Sequence, residues 1–289
     1  MEIPSPTGGS GVSPDGFPPI KCTYIYIYML YESKEIMNMD DNTLLKLITK
    51  SKYPGYRLGD VVLNYPCHRR IQIKKCYTPQ KKQFPDSLAI EYTTLYKDTT
   101  SLGLKIGQNE KTKGNESIKE PLTILMNLCD NLNLQSRPDE DALVATIRLG
   151  DMIQQNKEKK NSADLIKSGG TFYTPAGGAR HVLSADDIVK NARKKGLTKI
   201  ILVGSKAIGT GMFSVQYLKQ MIDFLTQEGF HVQWFYSESP DEDLAFISHA
   251  QHILSGPGGF CLVANAISVI RHNKDEKILP IKKAVNFFG

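Results

Sequence analysis

Through the second half of the chain, short uninterrupted apolar runs alternate with stretches in which apolar residues recur every three or four positions. "ALVATI" (142–147), "TKIILV" (198–203), "FHVQWFY" (230–236) and "HIL" (252–254) are apolar runs bounded by polar or glycine-containing turns. Runs of this kind are too short for buried helices and suit strands covered on both faces. They predict strands near 143–148, 199–203, 231–236 and 252–254, and "KILPI" (277–281) reads as a last strand.

The intervening stretches carry helix grammar. Ser184 stands as an N-cap with Asp187 three residues on; Ile188, Val189 and Ala192 follow at helical spacing, and Gly196 falls at the C-terminal stop. Ser214 is read as the next N-cap, before the stripe Val215, Leu218, Ile222 and Leu225 and a stop at Gly229. Ser239 caps a third helix, with Pro240 at its first position and Asp241, Glu242 and Asp243 in its first turn, where acids favour the helix dipole. The apolar helix "CLVANAISVI" (261–270) follows a glycine-rich turn. Strands alternating with helices imply βαβ units and a parallel sheet with both faces covered, hence an α/β fold.

The first half has a weaker pattern. Residues 1–19 are rich in Pro, Gly and Ser without periodicity and are expected to form a flexible tail. "CTYIYIYMLY" (22–31) alternates like a strand and is too short to cross a bilayer, which takes about 20 apolar residues. "FPDSLAIEYTTLYKD" (84–98) and "EPLTILMNLCDNL" (120–132) read as helices. The resulting division is a tail over 1–19, an N-terminal lobe over 20–140 and a C-terminal lobe over 141–289.

Two features fall where ligands of a parallel sheet bind, beyond the carboxyl ends of its strands. One is "IRLGD" (147–151), which puts Arg148 and Asp151 just after the first buried strand. The other is "SGPGGF" (255–260), a glycine-rich turn at the start of a helix, where backbone N–H groups and the helix dipole favour a phosphate. Arg148 offers a guanidinium fork suited to the same oxygens. Each has a plainer reading, a surface ion pair for the arginine and a tight turn for the glycines. Their shared position at strand ends favours a common anion site.

Composition narrows the setting. The 289 residues are 40% hydrophobic and 23% charged, which fits a globular chain. The formal net charge of +6 is spread over short separate runs such as Lys74–Lys75, Lys81–Lys82 and Lys157–Lys160, and no nucleic-acid-binding signature accompanies it. The five cysteines are odd in number and form no CxxC pair, which argues against a zinc site and a disulfide framework and for a reducing compartment. With neither a signal-peptide pattern nor a membrane span, a cytoplasmic setting is expected.

The order "IRLGD", "FYTPAGGARHVLSADD", "KIILVGS" and "EDLAFISHAQHILSGPGGF" resembles the fucosyltransferase-like glycosyltransferases over roughly residues 140–275. The resemblance implies a GT-B-like fold of two Rossmann-type lobes, the N-terminal one reduced and on the acceptor side. It implies GDP-fucose, or a related nucleotide sugar, as donor, a glycan or other hydroxyl acceptor, no cofactor and no obligatory metal. It also brings in the Golgi as an alternative compartment. Arg148 matches the family's arginine, which holds the donor diphosphate and stabilises the leaving group, and Asp151 matches the acid that closes that motif. Gly258, Gly259 and Phe260 match the late donor-binding turn, and Ser255, a further donor-binding candidate, stands one position out of register with its serine.

The chain departs from the family pattern at Thr146, where the family has His, and in "SGPGGFC", with Pro257 inside the turn and Cys261 where serine is common. "YRLGDVVLNYP" (56–66) resembles the opening turn of a GT-B first lobe, in heptosyltransferases as well, and would place Arg57, Gly59 and Asp60 on the facing side of the cleft. Asp151, Asp60 and His181 are the candidate acceptor bases. Asp243, beyond its helix-terminus role, is a candidate donor contact. Three functions follow: a fucosyltransferase-like enzyme, another GT-B transferase with a heptosyltransferase-like donor preference, or an inactive relative that binds a nucleotide or glycan.

Overall fold

The computed structural model describes residues 29–50, 58, 62, 87–96, 116–132, 134–150, 153, 162–173, 179–204, 211–256 and 259–272. In chain order the elements are β1 (Met29–Glu32), α1 (Ser33–Asn38), α2 (Asp41–Thr49), α3 (Leu88–Leu95), α4 (Glu116–Asp130), β2 (Ala142–Thr146), α5 (Ser162–Ser168), β3 (Gly170–Tyr173), β4 (Ala179–Val182), α6 (Ala185–Lys194), β5 (Lys199–Val203), α7 (Met212–Gln227), β6 (His231–Tyr236), α8 (Pro240–Ser248), β7 (His252–Leu254) and α9 (Gly259–Arg271).

The main sheet has the order β1-β6-β5-β2-β7. β6, β5, β2 and β7 run parallel, as the apolar runs predict, and β1 pairs antiparallel with β6. Alternation along the strands sends side chains to two cores. Val144, Ile201, Val203 and Phe235 face one, with α3, α4, α8 and α9; Leu143, Ala145, Ile200, Leu202, Val232 and Trp234 face the other, with α1, α2, α5, α6 and α7. All of β2 is buried, which is why its sequence carries no polar alternation.

Taken in chain order, the parallel strands lie in space as third, second, first, fourth. The chain winds one way from β2 through β5 to β6, then crosses by α8 to β7 on the far side of β2. This is the winding of a doubly wound sheet, and its switch point lies between β2 and β7.

Described residues between 29 and 132, expected in a separate acceptor-side lobe, belong to this same sandwich. β1 is hydrogen-bonded to β6, with Tyr31 opposite Trp234 and stacked on it at 5.9 Å between ring centres. Lys219 of α7 donates to the Met39 carbonyl and to Asp41, both at 2.6 Å, fixing the α1–α2 corner. On the other face, the Leu88 N–H at the start of α3 donates to Asp241 of α8 at 3.0 Å. The described segments of this region thus pack on the five-stranded sheet and its helices. The physical reason is that the apolar residues of these helices are buried against the two faces of this sheet. Leu58 and Val62, from the "YRLGDVV" segment, are buried in the first core, while Arg57, Gly59 and Asp60 lie outside the described residues. So do the tail over 1–19 and the strand expected at 277–281.

The helix caps follow the sequence with one correction. Ser184 accepts from the Asp187 N–H at 3.0 Å and Ser239 from the Asp241 N–H at 3.2 Å. Ser214 does not cap α7: the helix begins at Met212 with Gly211 as N-cap, and Ser214 sits inside the first turn. The polar stretch before Val182 contains a feature with no sequence prediction, the antiparallel hairpin β3–β4.

A charged clamp closes the amino-terminal edge of the sandwich. Arg271 at the end of α9 grips Asp130 at the end of α4 with both terminal nitrogens, at 2.8 and 3.3 Å, and Nε2 of His249, the C-cap of α8, lies 3.0 Å from the same carboxylate. Burial pushes the Asp130 carboxyl up, but the hydrogen bonds to His249 and Arg271 and their charges outweigh it and hold the group below its ordinary range. A depressed carboxyl contributes stability above its unfolded value and loses it as the pH falls through the folded one. Asp130→Asn should therefore destabilise the fold at neutral pH by about 1–2 kcal/mol, discounted for the exposure of the carboxyl. It should also flatten the loss of stability below about pH 4, as read from urea midpoints across an acid series.

Candidate functional site

The site is built outward from the end of β2. Thr146 is the last strand residue and is buried, with 9% of its surface exposed. The Ile147 N–H donates to the Val203 carbonyl at 2.9 Å, carrying the β2–β5 ladder one residue past the strand. The Ile147 side chain lies where a side chain at residue 204 would be: a Cβ on Gly204 would come within 2.4 Å of Ile147 Cγ1. Arg148 follows, partly buried, then Leu149, fully buried, then Gly150 with φ 91°, a conformation that favours glycine. The Gly150 N–H donates to Ser214 Oγ in the first turn of α7 at 3.1 Å. Ser214 thus serves the Arg148 turn, a role the capping pattern in the sequence conceals.

On the other flank stands α9. Thr146 Oγ1 and Cys261 Sγ share a hydrogen bond of 3.4 Å, which brings the start of α9 against the end of β2 across 115 residues of sequence. Gly259 and Phe260 open this helix, Phe260 packs on the first core, and Ser255 lies partly buried just past β7. Burial pushes the Cys261 thiol up; the Thr146 hydrogen bond and the Arg148 charge pull it down without cancelling that effect. The group is thus a protonated thiol at neutral pH, a packing and hydrogen-bonding group rather than a thiolate nucleophile.

The end of β2 and the start of α9 therefore touch at the switch point between β2 and β7, and Arg148, two residues past Thr146, is near enough for its charge to act on Cys261. Arg148, Ser255, Gly259 and Phe260 occupy this edge. Asp151 and Gly258 lie outside the described residues. His181 is on β4, in the hairpin outside the main sheet, paired with Thr171. Asp243, expected at the donor, is 2% exposed and accepts the Ser237 hydroxyl at 2.6 Å. Its neighbours are similarly engaged: Glu242 accepts the Glu238 N–H at 3.0 Å and Asp241 reaches α3. The acidic turn holds the start of α8 and its junction with α3, and the sequence pattern could not distinguish that role from ligand binding.

The sheet order defines an α/β protein with a switch point between β2 and β7, the place where ligands of such sheets bind in general. No protein-family model matches the chain, and neither does any curated protein or solved structure.

Gly204→Ala tests the close approach that seats Ile147. Its Cβ must displace a branched side chain held by the sheet, so unfolding in urea should show a loss of about 1–3 kcal/mol, the usual cost of overpacking. Unchanged stability would show that the turn before Arg148 yields freely.

Proposed function

We propose that this chain is a fucosyltransferase-like glycosyltransferase, taking a sugar from a nucleotide diphosphate donor, with GDP-fucose favoured, to a hydroxyl acceptor. The observation that carries the reading is the meeting of Arg148 with the start of α9 at the switch point of a doubly wound sheet. The motif order supplies the chemistry. Breaking the donor's glycosidic bond leaves negative charge on the diphosphate, and fixed positive groups aimed at that charge lower the barrier. In this reading Arg148 and the backbone N–H groups at the start of α9 meet that charge, a role a metal ion plays elsewhere. Asp151, three residues beyond Arg148 in sequence, is the residue this reading assigns to receive the acceptor's proton.

One observation favours a second reading, a relative that binds the nucleotide or glycan without transferring sugar. Thr146 stands where the family resemblance puts a histidine, and its hydroxyl is bonded to Cys261. That position supplies packing between β2 and α9 rather than an imidazole.

Calorimetric titration with GDP, ADP and UDP identifies the donor base, and donor hydrolysis separates the enzyme from the binding protein. Arg148→Lys keeps the charge but loses the two-pronged grip. It should weaken diphosphate binding and reduce transfer by roughly 10²–10³, as loss of one well-aimed electrostatic contact does. Arg148→Ala should be at least as damaging. Equal GDP affinity in wild type and both variants would remove Arg148 from the site and the reading with it.

A further inference from the structure

We infer that Ser214 is the positioning residue for Arg148. The inference rests on the proposed donor-site reading and adds to it a residue 66 positions away along the chain. Arg148 is held at both ends of its turn. One residue before it, Ile147 is tied to the Val203 carbonyl and seated against Gly204. Two residues after it, Gly150 gives its N–H to Ser214 Oγ, and Leu149 between them is fully buried. Ser214 is itself fully buried, in the first turn of α7.

Serine is an indifferent helix former, and it gains most at a helix start by capping its own N-terminus. Here the cap is Gly211, which has no side chain to offer, and the serine hydroxyl reaches out of the helix to the β2 turn. The contact fixes a glycine at φ 91°, the residue with the most conformational freedom to lose. Without it, residues 149 and 150 regain that freedom and the guanidinium no longer has a fixed origin. A charge that must be repositioned when the ligand arrives binds more weakly than one already in place. Ser214 thus acts through Arg148 and touches no reacting atom.

The test is a double-mutant cycle on the full chain, with GDP as the probe and calorimetric affinity as the readout. Ser214→Ala should weaken GDP binding by about three- to tenfold, the scale of one buried hydrogen bond. With Arg148→Ala already present, Ser214→Ala should have no further effect, since a positioning residue has nothing left to position. Ser184→Ala, which removes the N-cap of α6, is the control: it should lower the melting temperature and leave GDP affinity unchanged. If Ser214→Ala proves unstable, Ser214→Cys keeps the side-chain volume with only a weak sulfur acceptor and should weaken binding in the same way. GDP binding that is weakened by Arg148→Ala but unchanged by the Ser214 variants overturns this inference alone, as do fully additive losses. A wild-type chain that binds no GDP overturns the donor reading and this inference together.

Discussion

The structure depends on the complete burial of β2. This strand has a parallel neighbour on each side, β5 along its whole length and β7 along Leu143–Ala145, and every residue from Ala142 to Thr146 is buried. The chain leaves it only at the carboxyl edge, and there the connections part. β5 and β6 lie on one side, β7 and α9 on the other. The switch point is a consequence of that divergence, and the first charged residue beyond the strand there is Arg148.

What surrounds the arginine is asymmetric in chemistry. On the β5 and α7 side the contacts are a backbone ladder, a missing Cβ at Gly204 and one hydroxyl from Ser214, all of which act on the chain's path. On the α9 side the contact is the Thr146–Cys261 pair, with the thiol held protonated by burial. The first set sets where the guanidinium starts. The second closes the seam between the end of β2 and the start of α9. An anion site needs both, because backbone donors and a fixed cation act together only when neither can move away.

The outer helices show how far packing overrides segment order. α1 and α2 are anchored to α7 by Lys219, and α3 is capped by Asp241 from α8. Tyr31 pairs across to Trp234. These contacts join residues some 150–200 positions apart and make the early segments part of the later sheet.

The sequence by itself determined the local elements. Mostly apolar runs fix β2, β5, β6 and β7, because a strand covered on both faces carries few polar positions, Gln233 of β6 among them. Ser184, Ser239 and Pro240 fix helix starts through contacts within one turn. The placement of Arg148 and the glycine-rich turn at strand ends was legible for the same reason: it needs only the strand boundary. Tertiary structure alone decided the partners. Ser214 reads as a cap because capping is a local rule, yet its hydroxyl is claimed by Gly150 from another strand's exit. Asp243 reads as a ligand residue or a dipole residue alike, and its burial and its bond to Ser237 are visible only in the tertiary structure. The β3–β4 hairpin and the docking of β1 on β6 are pairings between segments, and a pairing leaves no periodic trace in either segment. The switch point depends on strand order, which is set by which apolar faces cover each other and not by any residue read alone.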